Sequence, residues 1–158
     1  MTIDIRRLDA TFDRWDDLLA LILESFDSMN GRIDPPSSAL ALTAESLRAK
    51  ADAEIAFLAM DSNDMLACMF LRPEPPHTLY IGKLAVRPAA QGRGLGWALL
   101  GVAENEAQAR NLSQLRLETR IELVENHATF GAWGFLKTAE NSHPGFSRKT
   151  FIEMRKQL

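Results

Sequence analysis

Leu84-Ala85-Val86-Arg87-Pro88, followed after two alanines by Gln91-Gly92-Arg93-Gly94-Leu95-Gly96, is the stretch on which the fold turns. Its first part closes an apolar strand, Thr78 to Val86. Its second part opens a helix running to about Arg110, with Leu95, Ala98, Leu99 and Val102 on one face. Glycine at every second position of a strand-to-helix junction removes the β-carbons that would hold a ligand off the backbone. The first N–H groups of the helix have no intrahelical partner and sit at the positive end of its dipole. The junction is therefore a candidate phosphate or pyrophosphate site, with Arg93 adding a charged donor. Spacing separates the ligand classes. The dinucleotide pattern G-x-G-x-x-G needs glycine where Trp97 stands, and the Gly-Lys-Ser/Thr of a P-loop does not occur in the chain. A glycine-rich helix start with no ligand is the remaining bland reading.

On the N-terminal side, Ile3 and Ile5 alternate with polar residues and suggest a short strand. A helix is expected from about Thr11 to Phe26, with Phe12, Trp15, Leu19, Ile22 and Phe26 as its apolar face and Asp13, Asp16 and Asp17 near its start. Ser28 to Ser38 reads as irregular, and Thr43 as the N-cap of a shorter helix carrying Leu47 and Ala51 inward. Ile55 to Met60 and Met65 to Leu71 flank a polar turn and predict a hairpin buried on both faces, broken after it by Pro73, Pro75 and Pro76. On the C-terminal side, Leu115 to Arg120 alternates as a strand and a helix spans about Leu123 to Trp133. Phe135 to Ala139 and Thr150 to Arg155 form the last two strands, joined through His143-Pro144-Gly145. This order predicts one α+β domain over residues 1–158, with a mixed sheet of about seven strands and four helices.

Composition narrows the partners. A formal net charge of −3 gives no electrostatic reason to expect nucleic-acid or membrane binding. The single cysteine, Cys68, excludes an intrachain disulfide, and lying in an apolar run it reads as a core residue. The N-terminus lacks a secretory signal pattern, and the longest apolar run is too short to span a bilayer, so a cytoplasmic location is expected.

The segment Leu84 to Gly96 resembles the acetyl-CoA signature of the GCN5-related N-acetyltransferase (GNAT) superfamily, a strand ending Leu-x-Val followed by Gln/Arg-x-x-Gly-x-Gly/Ala. Gln91, Gly94 and Gly96 match every defined position. Trp133-Gly134-Phe135 resembles the Gly-Phe that opens the family's sixth strand, and the element order agrees along nearly the whole chain. The resemblance implies acetyl-CoA as co-substrate with no metal. It places the pantetheine arm on the backbone of Leu84, Ala85 and Val86, and the pyrophosphate on amides from Gly92 through Arg93, Gly94, Leu95 and Gly96 to Trp97, with the thioester in a gap between the fourth and fifth strands. It also implies direct transfer to the amine of a small molecule, amino acid or peptide, and makes a homodimer an expectation.

Glu118 is the candidate base. Alternation puts Arg116, Glu118 and Arg120 on one strand face, and Leu-x-Leu-Glu here resembles N-terminal-peptide acetyltransferases of the superfamily. The competing reading is a solvated charge paired with Arg116 or Arg120. Where many members carry an acid Tyr, this chain has Phe130, which has no proton to give. Tyr80, the only tyrosine, serves in its place only if it faces the gap. The family's Asn does not align simply: Leu123 takes its place and Asn126 falls about one turn later, a weaker cofactor contact. His127 is read as a surface or packing residue. The loops Asp27–Pro36 and Asn141–Arg148 should meet the acceptor; Asp27 and Asp34 read either as solvated loop acids or as a draw for a cationic amine, and Met29 and Phe146 either as packing residues or as an apolar part of the wall. Phe130 also motivates an alternative, a non-catalytic acyl-CoA sensor. A third class is a structural domain with no CoA affinity.

Overall fold

The computed structural model describes residues 2–158. Seven strands form one mixed sheet in the order β1-β2-β3-β4-β5-β7-β6: β1 (Asp4–Arg7), β2 (Ile55–Asp61), β3 (Asp64–Glu74), β4 (Thr78–Val86), β5 (Gln114–Arg120), β6 (Leu136–Asn141) and β7 (Phe151–Gln157). Only β4 and β5 pair in parallel. Four helices flank the sheet: α1 (Trp15–Phe26), α2 (Ala44–Ala53), α3 (Leu95–Ala109) and α4 (Val124–Ala132). The architecture is the α+β arrangement expected from the sequence.

The β2–β3 hairpin divides the core. Phe57, Ala59 and Met69 face α3, whereas Leu58, Cys68 and Phe70 face α1 and α2. Burial on both faces is why these two strands read as continuous apolar runs. Leu18, Leu21 and Ile22 of α1 are fully buried against Leu47 of α2, each contributing roughly 1.5–3 kcal/mol of transfer free energy.

Two boundaries differ from expectation for physical reasons. α1 starts at Trp15 because Asp9 accepts hydrogen bonds from both the amide and the hydroxyl of Thr11, fixing a turn there. Its buried face is accordingly centred on Leu18, Leu21, Ile22 and Ser25. β3 runs through Pro73 to Glu74, since beyond Leu71 it has no partner on the β2 side and a missing N–H costs no ladder bond. Thr43 caps α2 as expected, in a reciprocal capping box with Ser46.

The feature that positions the site is a split between β4 and β5. They pair only at Thr78–Tyr80 with Gln114–Arg116, after which Ile81–Val86 and Leu117–Arg120 diverge. β4 carries a bulge just there. Cys68 pairs with Ala85 and Phe70 with Gly82, so Met69 alone opposes Lys83 and Leu84, and Lys83 takes φ +51°. A bulge bends its strand and reverses which face later residues occupy. Leu79 and Ile81 face the α3 side before it; after it Leu84 and Val86 take that side and Ala85 turns to the other.

Candidate active site

The Gly92–Gly96 turn has the geometry its sequence predicts. Gly92 and Gly94 both take φ +78°, which disfavours any side chain, and Gly94 at the N-cap of α3 leaves that helix without a side-chain cap. Gly96 is glycine for a different reason: a β-carbon there would stand 2.8 Å from the Trp133 ring. Gln91 donates a hydrogen bond to the Val86 carbonyl at 3.2 Å and ties the turn to the end of β4.

A cavity of about 630 Å³ opens on this turn. Leu84, Val86, Gln91, Gly92, Gly94, Leu95, Gly96 and Trp97 line it, with Asn126 and Phe130 from α4. Ala85 and Arg93 do not. Ala85 is turned into the α1–α2 core by the bulge, so any part it plays falls to its backbone. Trp97 and Trp133 meet edge to face, as do Phe130 and Trp133, and build an aromatic wall.

A second cavity, of about 530 Å³, lies along the split. It shares Phe26, Met29, Leu84, Leu123, Asn126 and Phe130 with the first. Its own walls carry Tyr80, Lys83, Glu118, Arg120 and His143. The Tyr80 hydroxyl donates to Glu118 Oε1 at 3.5 Å, and Arg116 Nη1 holds the other carboxylate oxygen at 3.0 Å. The Tyr80 ring lies between the guanidinium groups of Arg72 and Arg116, 4.8 and 4.4 Å from its centroid. Burial and the Glu118 charge push the Tyr80 phenol up to about 12. Burial also pushes the Cys68 thiol up to about 12, beneath the sheet and away from both cavities. Among the described residues, no cluster of three or more His, Cys, Asp or Glu side chains is set to hold a metal ion, and no helix is long and apolar enough to cross a membrane.

Residues 15–135 match the model of the acetyltransferase (GNAT) family. The chain belongs to that family. It is 33% identical over 112 residues to a mycothiol acetyltransferase of Beutenbergia cavernae; the match takes in 66% of the chain but only 38% of that relative's length. Two solved structures share the GNAT fold nearly end to end. An acetyltransferase from Streptococcus agalactiae superposes with TM-score 0.77 at 15% identity, covering 99% of this chain and 98% of that one. A GNAT family acetyltransferase from Elizabethkingia anophelis, solved with acetyl-CoA bound, superposes at 0.70 and 20% identity, covering 99% and 98%.

Within this GNAT fold, Glu118, Tyr80, Asn126 and Phe130 all line the cavity along the split, so Tyr80 does face it. His127 lines neither cavity; its Nε2 hydrogen-bonds the Arg120 carbonyl at 2.9 Å, a packing contact. The two loops do reach the second cavity, through Met29, Pro35 and Pro36 on one side and Ser142 to Pro144 on the other. Asp27 and Asp34 line neither cavity, as solvated loop acids would not. Asp34 is paired with Arg148 at 3.2 Å, Asp27 accepts from Asn30, and Phe146 packs against His143 and Arg148 instead of lining the wall. The residue that reasoning from alternation missed is Lys83. It sits at the bulge, and only the glycine before it hinted that β4 is irregular there.

Proposed function

We propose that this chain transfers an acetyl group from acetyl-CoA directly to a primary amine of a small molecule, amino acid or peptide. The reading rests on the meeting of the two cavities at Leu84, Asn126 and Phe130: one opens on an uncapped, glycine-lined helix start, the other on a carboxylate. The first fits a pyrophosphate by the chemistry of its backbone donors, and the unpaired edge of β4 beyond Tyr80 offers the pantetheine arm an extended backbone. In this reading residues 1–158 act as one cytoplasmic catalytic domain that needs no metal and is compatible with a homodimer.

Acetyl-CoA supplies the activated acyl group. The substrate amine attacks the thioester carbon, the C–N bond forms and the C–S bond breaks. Glu118 takes the proton the nitrogen must lose, directly or through one water. Arg116 and Tyr80 fix the Glu118 carboxylate by one hydrogen bond on each oxygen. In this reading Tyr80 orients Glu118 and is not the acid, because burial and the Glu118 charge push its phenol up to about 12. The thiolate leaves unassisted and takes its proton from solvent, which accounts for the tolerance of Phe130 at the family's usual acid position.

Incubation with acetyl-CoA and an amine panel, following free thiol, tests the reading. Thiol release is expected for at least one amine. Glu118→Gln should lower kcat by about 10²-fold with acetyl-CoA affinity unchanged. Acetyl-CoA binding with no thiol release on any amine would favour the sensor.

A further inference from the structure

We infer that the acceptor carries an anionic group beside its amine, and that Lys83 and Arg120 bind that anion next to the Pro35–Ser38 segment. This rests on the acetyltransferase reading for the identity of the second cavity and adds the substrate class.

The two cations approach one segment from different strands. Lys83 Nζ donates to Ser38 Oγ at 2.7 Å; Arg120 donates to the carbonyls of Pro35 and Pro36 at 2.7 and 3.1 Å. Both line the cavity that holds Glu118. Lysine has three donors and arginine five, so each keeps donors to spare.

Among the described residues, no ion pair includes Lys83 or Arg120, and the acids that act on them from farther off each face another cation within ion-pair distance. Glu54 is held by Lys50 at 2.6 Å, and Asp34 and Glu122 face Arg148 at 3.2 and 3.9 Å. Partly buried charge is ordinarily paired, because desolvation is otherwise uncompensated. Burial, then the charges of Lys50 and Arg120, hold Lys83 below its ordinary value, and burial holds Arg120 below its own. Burial and then Arg120 hold the His143 imidazole below its usual range, against the opposing charges of Glu118 and Glu122. A bound anion would supply the missing counter-charge.

The strand sets the spacing. Glu118 and Arg120 share one face of β5 two residues apart, about 7 Å along a strand. The amine near Glu118 and the anion near Arg120 therefore belong to one compact group, such as an amino acid or an acidic peptide end.

Two measurements on the full chain test this. Steady-state acetylation compares matched pairs, γ-aminobutyrate against its amide and O-phosphoethanolamine against ethanolamine. At least one anionic member should show a KM about tenfold below its neutral partner, and Lys83→Met and Arg120→Met should each bring that ratio towards one. Equal KM values within both pairs, or variants that raise both members alike, would overturn the inference. Calorimetric titration of γ-aminobutyrate and O-phosphoethanolamine into the CoA-saturated protein is independent of turnover. Binding that weakens about tenfold in Lys83→Met, with CoA affinity retained, supports the anion site even if no amine is acetylated. Absence of binding by the wild-type chain sinks the site whether or not other amines react.

Discussion

Arg116 serves three carboxylates at once: Glu74 at 2.8 Å, Glu118 at 3.0 Å and Glu153 at 3.8 Å, with its own side chain only 12% exposed. Its hydrogen bond is the main reason the Glu74 carboxyl lies below its ordinary value, burial opposing. A carboxyl depressed in the folded state contributes stability that is present above its ordinary value and lost as pH falls through the folded one. Arg116→Met leaves the three carboxylates facing each other and should cost about 2 kcal/mol at pH 7, below the figure for a fully buried pair because Glu74 and Glu118 are about a third exposed. Urea unfolding at pH 7 and at steps into acid should show the deficit shrinking as pH falls through the depressed range of Glu74; a deficit independent of pH would rule out this origin. Cys68 makes a simpler case. Its buried thiol, at about 12, should resist thiol reagents in the native protein and react once denatured; native labelling at a free-thiol rate would contradict its place in the core. The burial of Cys68 was legible in the sequence from its apolar run, and unbroken alternation put Glu118 on one face of β5 with Arg116 and Arg120. The place of Lys83 was not legible, because alternation fails at a bulge and a bulge depends on the register of two strands.

At the level of elements, the turn before α3 separates steric from electrostatic demands. Space is open around a β-carbon at Gly94, yet φ +78° penalises any side chain. Gly94→Ala should therefore destabilise by about 1 kcal/mol and keep measurable acetyl-CoA affinity. Gly94→Glu adds bulk and negative charge where the pyrophosphate is proposed to lie, and should abolish binding. Calorimetry on both variants decides the matter: equal, wild-type-like affinity would remove the turn from the phosphate site. The turn could be read from sequence because its glycines act locally, through backbone angle and missing β-carbon. The partner of Gly96 could not, since Trp133 reaches it from the end of α4, 37 positions along the chain. The start of α1 escaped for a related reason: Asp9 competes for the Thr11 backbone, a contest that hydrophobic periodicity does not register.

For the whole molecule, element order was legible and strand order was not. Local patterning names each strand, but the placement of β7 between β5 and β6 follows from long-range pairing, and the parting of β4 from β5 was expected only through the family resemblance. That parting leaves the backbone beyond Tyr80 without a strand neighbour on the β5 side and puts two cavities where a continuous sheet would bury apolar area. A ligand that fills the split adds free energy to the folded state alone. At acetyl-CoA concentrations about 100-fold above Kd, linkage gives about 2.7 kcal/mol, which for a chain of this size corresponds to a rise in Tm of roughly 5–11 °C. Desulfo-CoA should reproduce most of the rise if the turn and the β4 edge provide the grip, because it keeps the pyrophosphate and nearly all of the pantetheine arm. Adenosine alone should give little. A melting temperature indifferent to acetyl-CoA would mean that the cleft does not bind the thioester, and the carboxylate at Glu118 would then need another explanation.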